Sequence, residues 1–311
     1  MNASNWSVEM GLKFHTLDVF TTGRFGGNPL GVVLGADALL TEEMQTIARE
    51  FNLAETIFVR KPKDPAHTAS VRIFFPTDEI PFAGHPTVGC AILLAEMQHG
   101  TGKPFETEIL LEEVAGLVSV TVRNTGGATW AQFTAPVVPY SVPAMLPSTQ
   151  DVAVALGLDP LDICPGGEPV GLHEGGPRFF YVPIASREAM ALARPQEPHW
   201  TNILNALGTV GGYLYAKGGQ SLATDYRTRM FNPSGEGIED PATGSAAALF
   251  ASQLYQTLDL KDGTHAFRLE QGYEMGRPSD IDMEADVRDG KLVAVRVAGS
   301  AVRVMEGQLS L

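Results

Sequence analysis

The chain has 311 residues, a length that points to about two compact units. With 44% hydrophobic and 19% charged residues the composition is that of a soluble globular protein, neither low-complexity nor disordered. A net charge of −14, from 36 acidic against 22 basic side chains, argues against nucleic acid and anionic membrane surfaces as partners. The longest basic cluster is only Lys61-Pro62-Lys63. A small anion held by local backbone amides stays compatible with that charge.

The first residues, MNASNWSVEM, lack the basic start and apolar core of a signal peptide, and no apolar run approaches the roughly 18 residues of a spanning helix. Next come strand-like segments, KFHTLDVF and PLGVVLG, joined by the glycine-rich FGGN. GGNPLG (26–31) precedes a strand instead of opening a helix, which excludes a dinucleotide-binding loop. In TEEMQTIAREFN (41–52), Thr41 can cap, Glu42 and Glu43 suit the positive end of the helix dipole, and Met44, Ile47, Ala48 and Phe51 share one face. This predicts an amphipathic helix lying on the outside of the first sheet. ETIFVRK, ASVRIFF, EILLEEV, GLVSVTVR and ATWAQFTA continue the strands of the first half; RFFYVPIA, GGYLYAKG, DYRTRMF, HAFRLEQGYEM, KLVAVRVAG and AVRVMEG supply those of the second. Between them, residues 137–176 are rich in Pro and Gly and form the best linker candidate.

An internal repeat organises these elements. RIFFPTDEIPFAGHPTVGCA (72–91) resembles RMFNPSGEGIEDPATGSAA (229–247), with Arg-x-Phe-x-Pro, a polar turn, and then His85-Pro86 or Asp240-Pro241 ahead of a small-residue run. The simplest reading is two homologous α+β domains, residues 1–135 and 136–311, each a curved, mostly antiparallel sheet or barrel around a central helix. The C-terminal strand near 300–311 is a candidate to pack with the first. GCAILLAEM (89–97) and SAAALFASQLYQTL (245–258) are apolar on nearly every face, so each must be surrounded by protein.

Read singly, His85 and Asp240 are helix N-caps. Two homologous helices would also bring two N-termini to a shared cleft, each offering unpaired amides to an anion. Thr243, Gly244 and Ser245 on one side, and Gly84 with the amides after Pro86 on the other, would hold a small carboxylate. Glu55, set among Leu53, Ala54 and Ile57, is either a solvated strand-edge acid or a carboxyl whose apolar surroundings suit it to moving protons. The other histidines show no metal-binding spacing, so no metal site is expected. Two cysteines, Cys90 and Cys164, give no disulfide framework and suit a reducing cytoplasm.

FGGNPLGVV (25–33), NLAETIFV (52–59), FFPTDEIPFAGHPTVGCA (74–91) and GIEDPATGSAAA (237–248) together resemble the phenazine-biosynthesis PhzF-like family, relatives of diaminopimelate epimerase. The resemblance runs in order from about residue 13 to AVRVMEGQL. It implies two epimerase-like domains, an active site between them, a homodimer and a cofactor-independent isomerase. It also implies Glu55 as the acid/base, ionised before turnover, with His85 and Asp240 orienting the substrate and Asn28, Gly84, Thr243, Gly244 and Ser245 lining its pocket. In the repeat, His85 is expected to match Asp240 and Cys90 to match Ser245, which leaves no pair of opposed thiols for two-base racemisation. Ala54 stands where family members often carry serine. A non-catalytic metabolite-binding protein, or a related racemase or dehydratase, is the competing reading on the same fold.

Overall fold

The computed structural model describes residues 11–101, 103–233 and 239–310. The N-terminal decapeptide read for a signal sequence, and residues 234–238 of the second repeat, lie outside the described residues.

The first half builds a closed barrel. Its strands are β1 (Leu12–Val19), β2 (Asn28–Leu34), β3 (Glu55–Arg60), β4 (Ala69–Phe74), the two-residue β5 (Glu79–Ile80), β6 (Phe105–Glu113), β7 (Gly116–Asn124) and β8 (Trp130–Thr134). β1 pairs antiparallel with β2, β2 parallel with β3, β3 antiparallel with β4, β4 parallel with β6, and β6, β7 and β8 follow as an antiparallel meander. Alternation of inward Ile109, Leu111, Val118, Val120 and Val122 with outward polar residues fixes this register, because a one-residue slip would turn the apolar set to water.

The helix α1 (Thr41–Phe51) lies on the outside of this barrel, with Met44, Ile47 and Ala48 packed on Val33, Phe58 and Phe74. Thr41 is its first helical residue and not its cap; the backbone N–H of Leu40 instead donates to Glu43 at 2.7 Å. The interior is filled by α2 (Gly84–His99), buried from Gly84 to Leu93. Gly89 leaves room there for two side chains of the barrel wall, since a Cβ would lie 2.6 Å from Leu30 Cδ2 and 2.7 Å from Val19 Cγ2.

The second half repeats the order. After β9 (Tyr140–Ser141) and α3 (Thr149–Leu156) come β10 (Gly171–Glu174), β11 (Arg178–Pro183), α4 (Arg187–Leu192), α5 (His199–Leu207), β12 (Gly211–Lys217), β13 (Tyr226–Phe231), β14 (Glu239–Asp240), α6 (Gly244–Thr257), β15 (Gly263–Gln271), β16 (Ser279–Arg288) and β17 (Lys291–Leu309). The parallel pairings β11 with β12 and β13 with β15 stand where β2 with β3 and β4 with β6 stand in the first half. Phe250 of α6 fills the interior, ringed by Tyr181, Tyr213, Tyr215 and Tyr226 at centroid distances of 4.6 to 5.9 Å.

Three expectations change. The stretch 137–176 is not a bare linker: α3 is capped by Ser148, and it buries Val152, Ala153, Ala155 and Leu156 beside Trp200 and Leu204. HAFRLEQGYEM stops being a strand at Gln271, where Gly272 at φ 75° turns the chain. KLVAVRVAG and AVRVMEG are one strand. β17 pairs with β16 up to Ala298, with β8 through Arg296–Ser300, and with β1 from Ala301 to Leu309, so a single strand stitches both halves and closes the first barrel. Gly299 permits the crossing, because a Cβ there would meet Phe20 Cδ1 at 2.4 Å.

Candidate active site

The two interior helices meet end to end. A Cβ on Gly84 would lie 3.1 Å from Gly244 Cα, and one on Gly244 would lie 3.3 Å from Gly84 Cα and 3.2 Å from the Phe20 ring. Glycine at both positions lets the ends approach this closely without either helix giving way. Neither Ala83 nor Thr243, the residues preceding the helices, caps its helix with a side chain. The amides of Gly84 and His85, and of Gly244, Ser245 and Ala246, precede the first intrahelical bonds and have no partner within their helices.

This geometry corrects the N-cap reading. His85 is the second residue of α2, and Asp240 lies in β14, four residues before α6. It also corrects the register of the repeat. Glu79 pairs with Phe74 as Glu239 pairs with Phe231, and Arg72 binds Glu79 as Arg229 binds Glu239. Pro81 therefore matches Pro241, Ile80 matches Asp240, Gly84 matches Gly244, and His85 matches Ser245. The chain has more residues between Phe231 and Glu239 than between Phe74 and Glu79, and this displaced the alignment. His85 and Ser245 thus occupy equivalent positions at the two helix ends; Cys90 sits farther along α2, buried and free.

The strand β2 orders three groups of the site with three consecutive residues. The Asn28 side chain crosses to the second half, donating to Asp240 Oδ1 and to the Ala242 carbonyl, both at 2.9 Å. The Pro29 carbonyl accepts from the His85 ring. Leu30 pairs with Glu55, the first residue of β3, across the parallel ladder. Glu55 Oε2 lies 3.2 Å from His85 Nε2, within ion-pair distance but off the hydrogen-bonding direction, so Nε2 keeps no hydrogen-bond partner among the described residues.

Glu55 and His85 are buried, at 8% and 3% exposure, whereas Asp240 and Ser245 keep partial access to solvent. Burial, reinforced by repulsion from Asp240, raises the Glu55 carboxyl well above the ordinary carboxylate range. Burial also raises Asp240, to about 6, against hydrogen bonds from Thr243 and Asn28 that favour its charged form. Burial lowers His85 to about 3 despite the Pro29 carbonyl, so its imidazole is neutral at neutral pH. Burial therefore disfavours an ionised Glu55 in the free site, against the ionised resting state expected from sequence. This also rules out the solvated-edge reading of Glu55.

Of the residues read from sequence, Glu55, His85, Asp240, Asn28, Gly84 and Gly244 converge here, and Ser245 stands on the α6 end. Thr243 differs from its expected role. Its amide donates to Gln271 Oε1 at 3.1 Å and its hydroxyl to Asp240 Oδ2 at 2.5 Å, so both groups are committed to the protein. Gln271 and Phe20 were not legible: both stand outside the repeated motifs, and only the fold brings them to the helix ends. The described residues contain no cluster able to hold a metal ion.

Two halves of one strand order, each wrapped on an interior helix, define an α+β fold of the epimerase-like class, and the chain's relatives are named as isomerases. The model of the PhzC-PhzF family, phenazine biosynthesis-like proteins, matches residues 17–307, and the chain belongs to that family. An uncharacterised isomerase of Mesorhizobium japonicum is 40% identical over 295 residues, covering 94% of this chain and 96% of that one. The trans-2,3-dihydro-3-hydroxyanthranilate isomerase of Pseudomonas chlororaphis is 32% identical over 296 residues, covering 95% and 98%. Among solved structures, a PhzF-family phenazine biosynthesis protein of Bacillus anthracis superposes with a TM-score of 0.85 at 25% identity, covering 96% of this chain and 99% of that one.

Proposed function

We propose that this chain is a cofactor-independent isomerase that moves a proton on a small cyclic carboxylate through Glu55. The observation that carries this reading is the buried Glu55 carboxyl, raised by its surroundings and set 3.2 Å from a neutral His85. The open amides of the two helix ends receive the substrate carboxylate. The proton count closes on one residue: Glu55 gives its proton to one carbon, and the carboxylate so formed takes one from another. The protonated resting state favours delivery first. Asp240 and His85 orient the substrate.

The relatives named as trans-2,3-dihydro-3-hydroxyanthranilate isomerases make that compound the first to try. Ala54 offers no hydroxyl beside Glu55, which favours a substrate with one polar contact fewer at that point. The free thiols of Cys90 and Cys164 agree with a cytoplasmic site, and a homodimer follows from the family resemblance, to be checked by sedimentation velocity.

The test is deuterium entry from heavy water, followed by NMR over a panel of cyclic and amino carboxylates. Wild type exchanges, and Glu55→Gln loses at least about 100-fold in rate while it keeps its fold and ligand binding. Binding of a verified ligand without any exchange in wild type would make the chain a metabolite-binding protein instead.

A further inference from the structure

The hydrogens around Asp240 can be assigned one by one. Gln271, the last residue of β15, accepts the Thr243 amide on Oε1 at 3.1 Å; the flipped amide would set two donors against each other. Its Nε2 then donates to the Asp240 carbonyl at 2.8 Å and to Thr243 Oγ1 at 3.0 Å. Having accepted from Gln271, the Thr243 hydroxyl has one hydrogen, and that hydrogen goes to Asp240 Oδ2. From the other half of the molecule, Asn28 spends both amide hydrogens on Asp240 Oδ1 and the Ala242 carbonyl. Both carboxyl oxygens of Asp240 are therefore acceptors of hydrogens that cannot be turned elsewhere. Glu55 has no such donors among the described residues: the neutral His85 gives its one ring hydrogen to the Pro29 carbonyl, so the Nε2 that faces Glu55 can only accept.

We propose that Gln271, Thr243 and Asn28 are positioning residues that keep Asp240 ionised in the free site and thereby leave the proton of the carboxyl pair on Glu55. Donors aimed at a carboxylate stabilise its charged form, and two carboxyls that repel each other do not both ionise readily, so the better-solvated one takes the charge. The other groups acting on Asp240 do not reverse this. Tyr213 of β12 gives its hydroxyl hydrogen to Thr228 at 3.0 Å. Glu239, next in the chain, is neutralised by Arg229 at 2.7 and 2.8 Å. His85, beside Glu55, is neutral. The consequence for turnover rests on the isomerase reading, but the ionisation pattern does not.

The experiment labels the side-chain carboxyl carbons of Asp and Glu with carbon-13 and follows them by NMR against pH in the ligand-free protein. Asp240→Asn and Glu55→Gln assign the two signals. At neutral pH the Asp240 carbon reports a carboxylate and the Glu55 carbon a carboxylic acid; the reverse pattern overturns the proposal. In Thr243→Val and Asn28→Leu, each checked for fold by circular dichroism, the Asp240 midpoint moves upward by about one pH unit, and Thr243→Ser restores it. An unmoved midpoint in both folded variants removes the role of these residues, and if neither folds, the wild-type titration still decides. Because the readout is a carboxyl carbon, failure of the isomerase reading shows separately, as absent exchange with the ionisation pattern intact.

Discussion

Glu113 offers a quantitative test of how burial acts inside the first barrel. It ends β6, is 8% exposed, and its Oε1 lies 2.7 Å from the Thr87 hydroxyl, which is itself 2.7 Å from the Ala83 carbonyl. That hydroxyl has one hydrogen, and Ala83 can only accept. A protonated Glu113 satisfies both contacts by donating to Thr87, and its Oε2 has no hydrogen-bond partner among the described residues. Burial accordingly raises Glu113 from 4.5 to about 8. The folded state thus binds this proton more tightly than the unfolded chain, so the contribution to stability is complete below about pH 4.5 and is lost as pH rises through about 8. At about 1.4 kcal/mol per pH unit, the loss by pH 8 is about 4 kcal/mol, and a folded value one pH unit lower reduces it to about 3. Either is a large part of the 5 to 15 kcal/mol typical of folded proteins. Glu113→Gln mimics the protonated acid, since its amide can donate to Thr87 but does not titrate. Urea unfolding of wild type and variant between about pH 5 and pH 8 should show the variant gaining on wild type by about 2 to 4 kcal/mol across that range. Parallel stability curves would refute the reasoning, because other titrating groups cancel in the difference.

The remaining expectations concern the helix ends and the pH profile. Gly84→Ala places a methyl 3.1 Å from Gly244 Cα and should push the two ends apart, destabilising by about 1 to 3 kcal/mol and slowing turnover at least about 10-fold. Gly127→Ala, with nothing within 4 Å of the new carbon, is the control; equal behaviour of the two variants would show that the close approach has no role. Because Asp240 is raised to about 6 and His85 lowered to about 3, the activity should fall as pH drops through about 6, and His85→Gln should lower the rate without moving that limb. A limb that disappears with His85 would assign the titration to the imidazole instead.

Much of this molecule is written locally. Alternating apolar residues in GLVSVTVR or RFFYVPIA select strands. The i, i+3, i+4, i+7 stripe from Met44 to Phe51 selects an outer helix, and the unbroken apolar character of GCAILLAEM requires a helix enclosed by protein. Other features were displaced because they depend on what lies opposite. The helix α3 is only two turns long and is bracketed by prolines, so its apolar face was hidden in a stretch that reads as loop. A break at Gly299-Ser300 looks like a turn until Phe20 is seen packed against it. The repeat was visible but aligned on the wrong prolines, since Pro86 and Pro241 share a sequence neighbourhood, whereas Pro81 and Pro241 share a place in the ladder.

The sequence by itself determined the composition of the site. His85, Asp240 and the glycines at the helix starts were legible as residue types in a duplicated pattern, and Glu55 as an acid among apolar neighbours to which the family resemblance gave a role. Only the tertiary structure showed which carboxyl is the more deeply buried, which of Thr243 and Ser245 is already committed to the protein, and that Gln271 belongs with them. Residue type and spacing are properties of a short stretch of chain. An ionisation state is a sum over everything that buries a group, repels it or donates to it, and here those contributions come from β2, β3, β14 and β15, brought together where the two halves meet.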